Sequence, residues 1–298
     1  MEPAEQAIET FEAARPLLTG LAYRILGSYA EAEDVVQDTF LSWMAAEPAA
    51  IERPRSWLTA VCTRKAVDVL RSARRARTTY VGAWLPEPVH TEVLDTPESQ
   101  AELSESVTMA FLLVLERLAP KERAAFLLHD VFGLAYREVA ESLGVTEAAC
   151  RKQVSRARAN LRRGEGGHAT PRPRQEELVA AFQAAIATGA TDGLARLLSS
   201  EATLSADSGG KVVAVRKTLE GAETVLQFIR KVLSPAWRGG EMVAAELNAR
   251  QALLLRQEGR ITAAVSFACD AEGRAARIFI TRNPDKLAHL DARDAQPG

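Results

Sequence analysis

The chain has 298 residues, 47% of them hydrophobic, and a formal net charge of −2, so it can fill two or three compact domains but carries no global positive field. Three unclustered cysteines (Cys62, Cys150, Cys269), scattered histidines and the lack of any Cys-x-x-Cys argue against a disulfide framework or a metal centre, and no cofactor is expected. The acidic, amphipathic N-terminus is unlike a signal peptide, and the longest apolar run, Met109–Leu115, is too short to cross a bilayer. A cytoplasmic protein with no membrane partner is expected.

Residues 1–77 read as a helical domain. Phe11, Leu17, Leu18, Leu21, Ile25 and Leu26 keep helical spacing until Gly27. A second helix, 30–46, carries Val35, Val36, Thr39, Phe40 and Trp43 on one side and stops before Pro48. A third follows Pro54, with Ser56 as candidate cap, and ends in a basic stretch (Arg64, Lys65, Arg71, Arg74, Arg75, Arg77) opposed only by Asp68. Residues 78–95 are a linker by their Gly82, Pro86 and Pro88, and a second helical domain, 96–163, starts at Thr96-Pro97.

Its end is the most informative stretch. A short amphipathic helix stops at Gly144, which accepts a left-handed turn, and Thr146 can cap the next helix. There Cys150, Val154, Ala157 and Leu161 share one face, while Arg151, Lys152, Arg156, Arg158, Arg162 and Arg163 crowd the rest, with no acid from 148 to 163. That is a helix-turn-helix whose second helix suits a major groove and its phosphates. Two basic helices on a nearly neutral chain imply two separate DNA contacts.

Gly164, Gly166, Gly167, Pro171 and Pro173 mark a second linker, 164–174. From 175 to 290 the period changes. Two helices over 175–199 and a third over 221–233 (Val225, Phe228, Ile229 and Val232 inward) are followed or interleaved by period-two runs. Those runs are 202–206, 211–215, 242–248, 252–256, 261–268 and 275–281. The expectation is an α+β domain on one curved, mixed sheet, with 291–298 as a tail.

The run from Leu21 to Trp43, Pro54-Arg-Ser-Trp-Leu-Thr-Ala-Val61 and the helix-turn-helix together resemble the extracytoplasmic-function (ECF) sigma factors of bacterial RNA polymerase. The resemblance covers nearly the whole chain. It implies a multidomain fold: an all-α region 2 bundle, an all-α region 4 helix-turn-helix domain and a SnoaL-like α+β cone. Three signatures point to the subgroup with such a tail. They are Trp84, Leu85, Pro86, Glu87 and Pro88 in the linker; Asp207, Gly209, Gly210 and Lys211; and Asn283, Pro284, Asp285, Lys286 and Leu287.

The resemblance implies binding to core polymerase through its beta-prime clamp and beta subunits, recognition of a double-stranded −35 and a melted −10 element, and initiation of transcription. Asp34, Val36, Gln37, Phe40 and Leu41 match the polymerase-facing surface, although Phe40 fits the domain's own core equally well. Arg53, Arg55, Ser56, Trp57, Arg64, Lys65, Arg71, Arg74 and Arg75 match the part that opens and reads −10. Trp57 reads either as a stacking platform or as core, and many members carry asparagine at the position of Arg64. Arg151, Lys152, Ser155, Arg156, Arg158 and Arg162 match the −35 reader.

The tail is implied to act as a built-in regulator, so that no separate anti-sigma protein is required, with the three signatures meeting at one interface. A small ligand in the cone is left open. Asp207 and Lys211 could form an acid–base pair but more simply make a solvated turn, and no enzyme is expected. The competing reading is a one-component helix-turn-helix regulator with a ligand-sensing or enzymatic tail.

Overall fold

The structure, a computed structural model, describes residues 3–94, 105–162 and 168–294. The chain forms two units: one built from both helical regions, the other from the C-terminal region together with Thr79–Thr91.

In the first unit α1 (Pro3–Leu26) buries Phe11, Leu18, Leu21, Ile25 and Leu26, and ends at Gly27. Ser28 caps α2 (Tyr29–Ala45) by accepting the Glu31 N–H at 3.2 Å. Helix α3 (Pro54–Arg77) begins with proline in its first turn, so Ser56 lies inside the helix and is not its cap. Trp43, Leu58, Cys62 and Leu70 close this bundle, and burial pushes the Cys62 thiol up to about 12, leaving it a small inert hydrophobe.

After a single turn, α4 (Thr91–Leu94), the described chain resumes before α5 (Met109–Leu115) and α6 (Pro120–Phe126). The helix start expected at Thr96-Pro97 lies outside the described residues. A π turn over Leu127–Val131 carries α6 into α7 (Tyr136–Leu143) and α8 (Glu147–Leu161). Helix α3 packs on both α6 and α7, so regions 2 and 4 share one unit.

The second unit begins with α9 (Arg172–Thr188), starting inside the expected linker, and the one-turn α10 (Asp192–Ala195). Strand β1 (Leu198–Asp207) contains the strand expected over 202–206 and extends it back to residues 198–199, expected to be helical. β2 (Leu219–Glu220), α11 (Ala222–Phe228), a π turn (Ile229–Leu233) and α12 (Ser234–Trp237) follow. The strands β3 (Glu241–Leu247), β4 (Arg250–Gln257), β5 (Arg260–Cys269) and β6 (Ala275–Thr281) precede α13 (Pro284–Asp294). The sheet order is β2-β1-β6-β5-β4-β3, with β1 parallel to β6 and the remaining pairs antiparallel. This is the mixed sheet of a SnoaL-like domain.

One face of the sheet packs Leu204, Leu253, Val265, Phe267 and Ile278 against Phe182, Ile229 and Trp237. The other packs Ala252, Leu254, Ile261 and Ala264 against Leu287 and Leu290 of α13. Strand β4 is therefore apolar on both faces, which is why Leu253-Leu254-Leu255 does not alternate.

Two expectations fail for local reasons. Residues 211–215 alternate but form no strand: β1 already has β6 on one side, and only Leu219–Glu220 reach its other edge, leaving Val213 88% exposed. Val232 points outward at 48% exposure because the π turn inserts a residue, bringing Leu233 inward in its place.

Candidate nucleic-acid and regulatory surfaces

The helix-turn-helix forms as its residues dictate. Gly144 closes α7 in the left-handed region (φ 61°), and the Val145 N–H reaches back to the Ala140 carbonyl at 3.0 Å. The Thr146 hydroxyl accepts the Ala149 N–H at 3.2 Å, setting the start of α8. Cys150, Val154 and Ala157 are fully buried, which turns Arg151, Lys152, Ser155, Arg156, Arg158 and Arg162 outward, all exposed.

Two of these arginines are held within the domain. Arg158 makes a bidentate pair with Asp130 at 2.6 and 2.8 Å, and that hydrogen bonding raises its pKa. Arg151 contacts Glu147 at 2.6 Å and lies 4.3 Å from the Tyr136 ring centroid. The Arg163 side chain lies outside the described residues.

The cations of region 2 are placed differently. Arg53, Arg55, Ser56 and Arg64 are exposed and Lys65 is half-buried. Trp57 is half-buried with its ring 5.6 Å from that of Trp43, so it packs on the bundle yet keeps an open side. That side lines a cavity of about 870 Å³ together with Arg53, Arg55, Ser56 and Arg64. The opposite wall comes from region 4: Asp130, Phe132, Glu138 and Glu141. Arginines thus face carboxylates across the gap.

Further along α3, Arg71 pairs with Asp68 at 2.9 Å, while the side chain of Arg75 lies outside the described residues. Arg74, expected along an open cationic track, and Arg77, which closes the same basic stretch, instead turn to Glu116 just after α5. Arg74 donates to the Glu116 carbonyl, and Arg77 pairs with its carboxylate at 2.6 Å and donates to the Leu26 carbonyl at 2.7 Å. Fully buried Arg123 pairs with the same carboxylate and donates to the Arg24 carbonyl at 3.0 Å. Arg24 in turn donates to Ser106 at 2.7 Å.

Burial pushes the Glu116 carboxyl up, but the charges and hydrogen bonds of Arg123 and Arg77 outweigh it and hold the group below the usual carboxylate range. Glu116, Arg123 and Arg24 were not singled out from sequence. The available signal was arginine inside apolar surroundings, at Leu21-Ala-Tyr-Arg-Ile-Leu26 and before Ala124-Ala-Phe126, since a buried arginine needs a partner.

Of the residues expected to face polymerase, Asp34, Gln37 and Leu41 are exposed. Val36, at 1% exposure, belongs to the bundle's own core and is not a surface residue. Phe40 is half-buried, 4.9 Å from the Phe11 ring.

The three C-terminal signatures come together within the second unit. Residues 79–91, expected as a linker, pack on the C-terminal domain, with Leu85, Pro86, Glu87, Pro88 and Val89 all buried. Asp207, 0% exposed, is the hub. It accepts from the Tyr80 hydroxyl (2.6 Å), the Leu85 N–H (2.9 Å), the Gly209 N–H (3.0 Å) and the Lys286 ammonium (2.7 Å). Four donors use the full accepting capacity of a carboxylate.

Lys286 also donates to the Leu85 carbonyl and lies 4.3 Å from the Trp84 ring centroid. The expected Asp207–Lys211 turn pair is not formed: Lys211 reaches Asp285 at 2.6 Å on the surface. Gly209 (φ 57°) is required at its position, because a Cβ there would sit 2.6 Å from the Asn283 amide, while Gly210 is exposed beside Val81. Asn283 accepts the Asp285 N–H at 3.1 Å to start α13 at exposed Pro284, and donates to Tyr80 at 2.9 Å.

Leu287 anchors that helix in the back-face core. The far end of the segment is pinned by the Val89–Asn248 pairs (2.8 and 3.1 Å) and by the Pro88 carbonyl at 2.8 Å from His289. Tyr80 is the residue that sequence reasoning missed here. Burial, then its hydrogen bond to Asp207, raises its pKa, so it remains a neutral donor at physiological pH.

Two basic helical regions, one of them ending in a helix-turn-helix, define a protein of the nucleic-acid-binding class. Residues 10–76 match the Sigma-70 region 2 family model, and residues 108–161 match that of Sigma-70 region 4. The ECF RNA polymerase sigma factor SigJ of Mycobacterium tuberculosis is 38% identical over 97% of this chain and 96% of its own length. The probable ECF sigma factor SigI of the same species is 31% identical over 95% of both. The crystal structure of M. tuberculosis SigJ superposes with a TM-score of 0.72 at 34% identity, covering 94% of this chain and 98% of that one. The chain belongs to the ECF sigma factor family and acts in transcription initiation; a one-component regulator is not favoured.

Proposed function

We propose that promoter engagement by this sigma factor exchanges an internal carboxylate for DNA at region 2, whereas the −35 reader in region 4 is already presented. The observation that carries this reading is Glu116, which holds Arg77 and Arg123 by ion pairs and Arg74 through its carbonyl. Phosphate is the natural competitor for Arg74 and Arg77, whereas fully buried Arg123 stays with Glu116. Arg53, Arg55, Ser56, Trp57 and Arg64 would then accept the melted −10 strand, with Lys65, Arg71, Arg74 and Arg75 along its backbone. Arg151, Lys152, Ser155 and Arg156 would read −35, with Arg158 and Arg162 on phosphates. Asp34, Gln37, Leu41 and the open side of Phe40 would meet the beta-prime clamp of core polymerase in the cytoplasm, the beta subunit being the second contact.

The C-terminal domain serves in this reading as a built-in regulator that neither catalyses nor needs a separate anti-sigma protein. Its support is the network joining Tyr80, Trp84 and Leu85 to Asp207, Asn283 and Lys286, which fastens the segment leaving region 2 onto that domain. The test is run-off transcription with core polymerase lacking its own sigma subunit. The chain should confer initiation. Tyr80→Phe and Trp84→Ala should change its output at least two-fold while the helical unit melts unchanged. Output unaltered by both variants would remove the regulatory role.

A further inference from the structure

Tyr136 opens α7, and its ring contacts two residues from different elements. His129, from the π turn, stacks on it with centroids 3.8 Å apart and planes at 29°. A ring that close occupies one face, so the Arg151 guanidinium, 4.3 Å from the same centroid, must lie across the other. The stack is anchored from below, because His129 Nδ1 lies 2.8 Å from the Leu134 carbonyl and the turn that carries it buries Leu127 and Leu128. At its edge Arg151 uses Nε and Nη2 on Glu147 Oε1, at 3.2 and 2.6 Å. A ring fixes the guanidinium plane, a carboxylate fixes its in-plane rotation, and the Nη1 edge is turned to neither.

We propose that Tyr136 is a positioning residue for base recognition by Arg151, a role that rests on the reading of Arg151 as a −35 base contact. Bidentate recognition of a guanine edge demands a defined guanidinium plane. A free arginine loses rotamer freedom on binding, whereas one already seated on a ring has lost much of it beforehand. Among the described residues no ring contact holds Lys152, Arg156 or Arg162, and Arg158, which also interacts with Tyr136, is held chiefly by Asp130. Tyr136 therefore acts on discrimination between bases rather than on overall affinity.

The experiment uses the full chain bound to core polymerase and a library of promoters varied through the −35 element, with Tyr136→Leu, Tyr136→Phe, Arg151→Ala and the Leu–Ala double variant. Tyr136→Leu should flatten preference by about 2- to 5-fold, the equivalent of ~0.5–1 kcal/mol for an exposed cation–π contact. The loss should fall at the same base that Arg151→Ala affects, with the salt slope unchanged. Tyr136→Phe should restore the preference, and in the Arg151→Ala background the Leu change should add nothing. Equal weakening on every sequence, or additivity with Arg151→Ala, would overturn the positioning role. An unchanged preference in Arg151→Ala would instead overturn the base-contact reading beneath it, a separate result. If the Leu variant fails to fold, His129→Ala removes the supporting layer and should give the same flattening at that one base; no flattening overturns the proposal.

Discussion

Helices α3 and α8 carry similar runs of arginine yet are used in opposite ways. In α8 three small buried residues, Cys150, Val154 and Ala157, hold one face, and the cations stand exposed, with Arg151 against Glu147 and the Tyr136 ring and Arg158 against half-buried Asp130. In α3 the basic end is drawn inward by Glu116, which itself lies beside the fully buried Arg123. A pair such as Arg151–Glu147, with both partners exposed, stabilises little and gives way readily to DNA. A carboxylate shared by buried cations is a structural element whose loss strands a charge. Equal charge in sequence therefore signals unequal readiness for a polyanion.

The largest effect expected from breaking this contrast is on Glu116→Ala. Leaving Arg123 buried without its partner should cost about 3–5 kcal/mol of unit stability in denaturant melts, while Glu147→Ala should cost no more than about 0.5 kcal/mol. Comparable losses for the two would erase the distinction.

Acid should act next. The folded pKa of Glu116 is lowered, so its stabilising contribution is fully present above the unfolded value near ~4.3 and is lost as pH falls through the folded value. Proteolysis between regions 2 and 4 should accelerate only in that acidic window, and Glu116→Gln should remove the pH step. A step persisting in the Gln variant would assign it to another group.

The smallest effects separate the arginines of α8. Arg162→Ala should lower the salt slope of DNA binding by about one unit. Arg158→Ala should lower it by less, because Asp130 already half-neutralises that side chain. Equal slopes would mean that Asp130 releases Arg158 on DNA.

The helix-turn-helix was legible in full because its signals are local: a left-handed glycine, a hydroxyl cap and a small-residue face within one stretch of chain. The three C-terminal signatures could be named and expected to meet, but their individual contacts could not be read. Asp207 was matched with nearby Lys211, whereas the helix start at Pro284 brings Lys286 into the interior and leaves Lys211 on the surface. Glu116 and Tyr80 could not be matched to Arg77, 39 positions away, or to Asp207 and Asn283, 127 and 203 positions away, and the need of Arg123 for a partner is disclosed only by its burial. The π turns at 127–131 and 229–233 follow no periodic signal, so Val232 was placed on the wrong side.

If DNA displaces Glu116 of region 4 from Arg74 and Arg77 at the end of α3, the two regions must part, and that separation can be measured by distance. Nitroxide labels at Asp68 and Arg137, whose side chains are 71% and 83% exposed, report the separation of α3 and α7, and the native Cys62, Cys150 and Cys269 are buried from labelling. Pulsed dipolar spectroscopy should give one short separation in the free chain and a distinctly longer one with core polymerase and promoter DNA. The same short separation in both states would contradict the account.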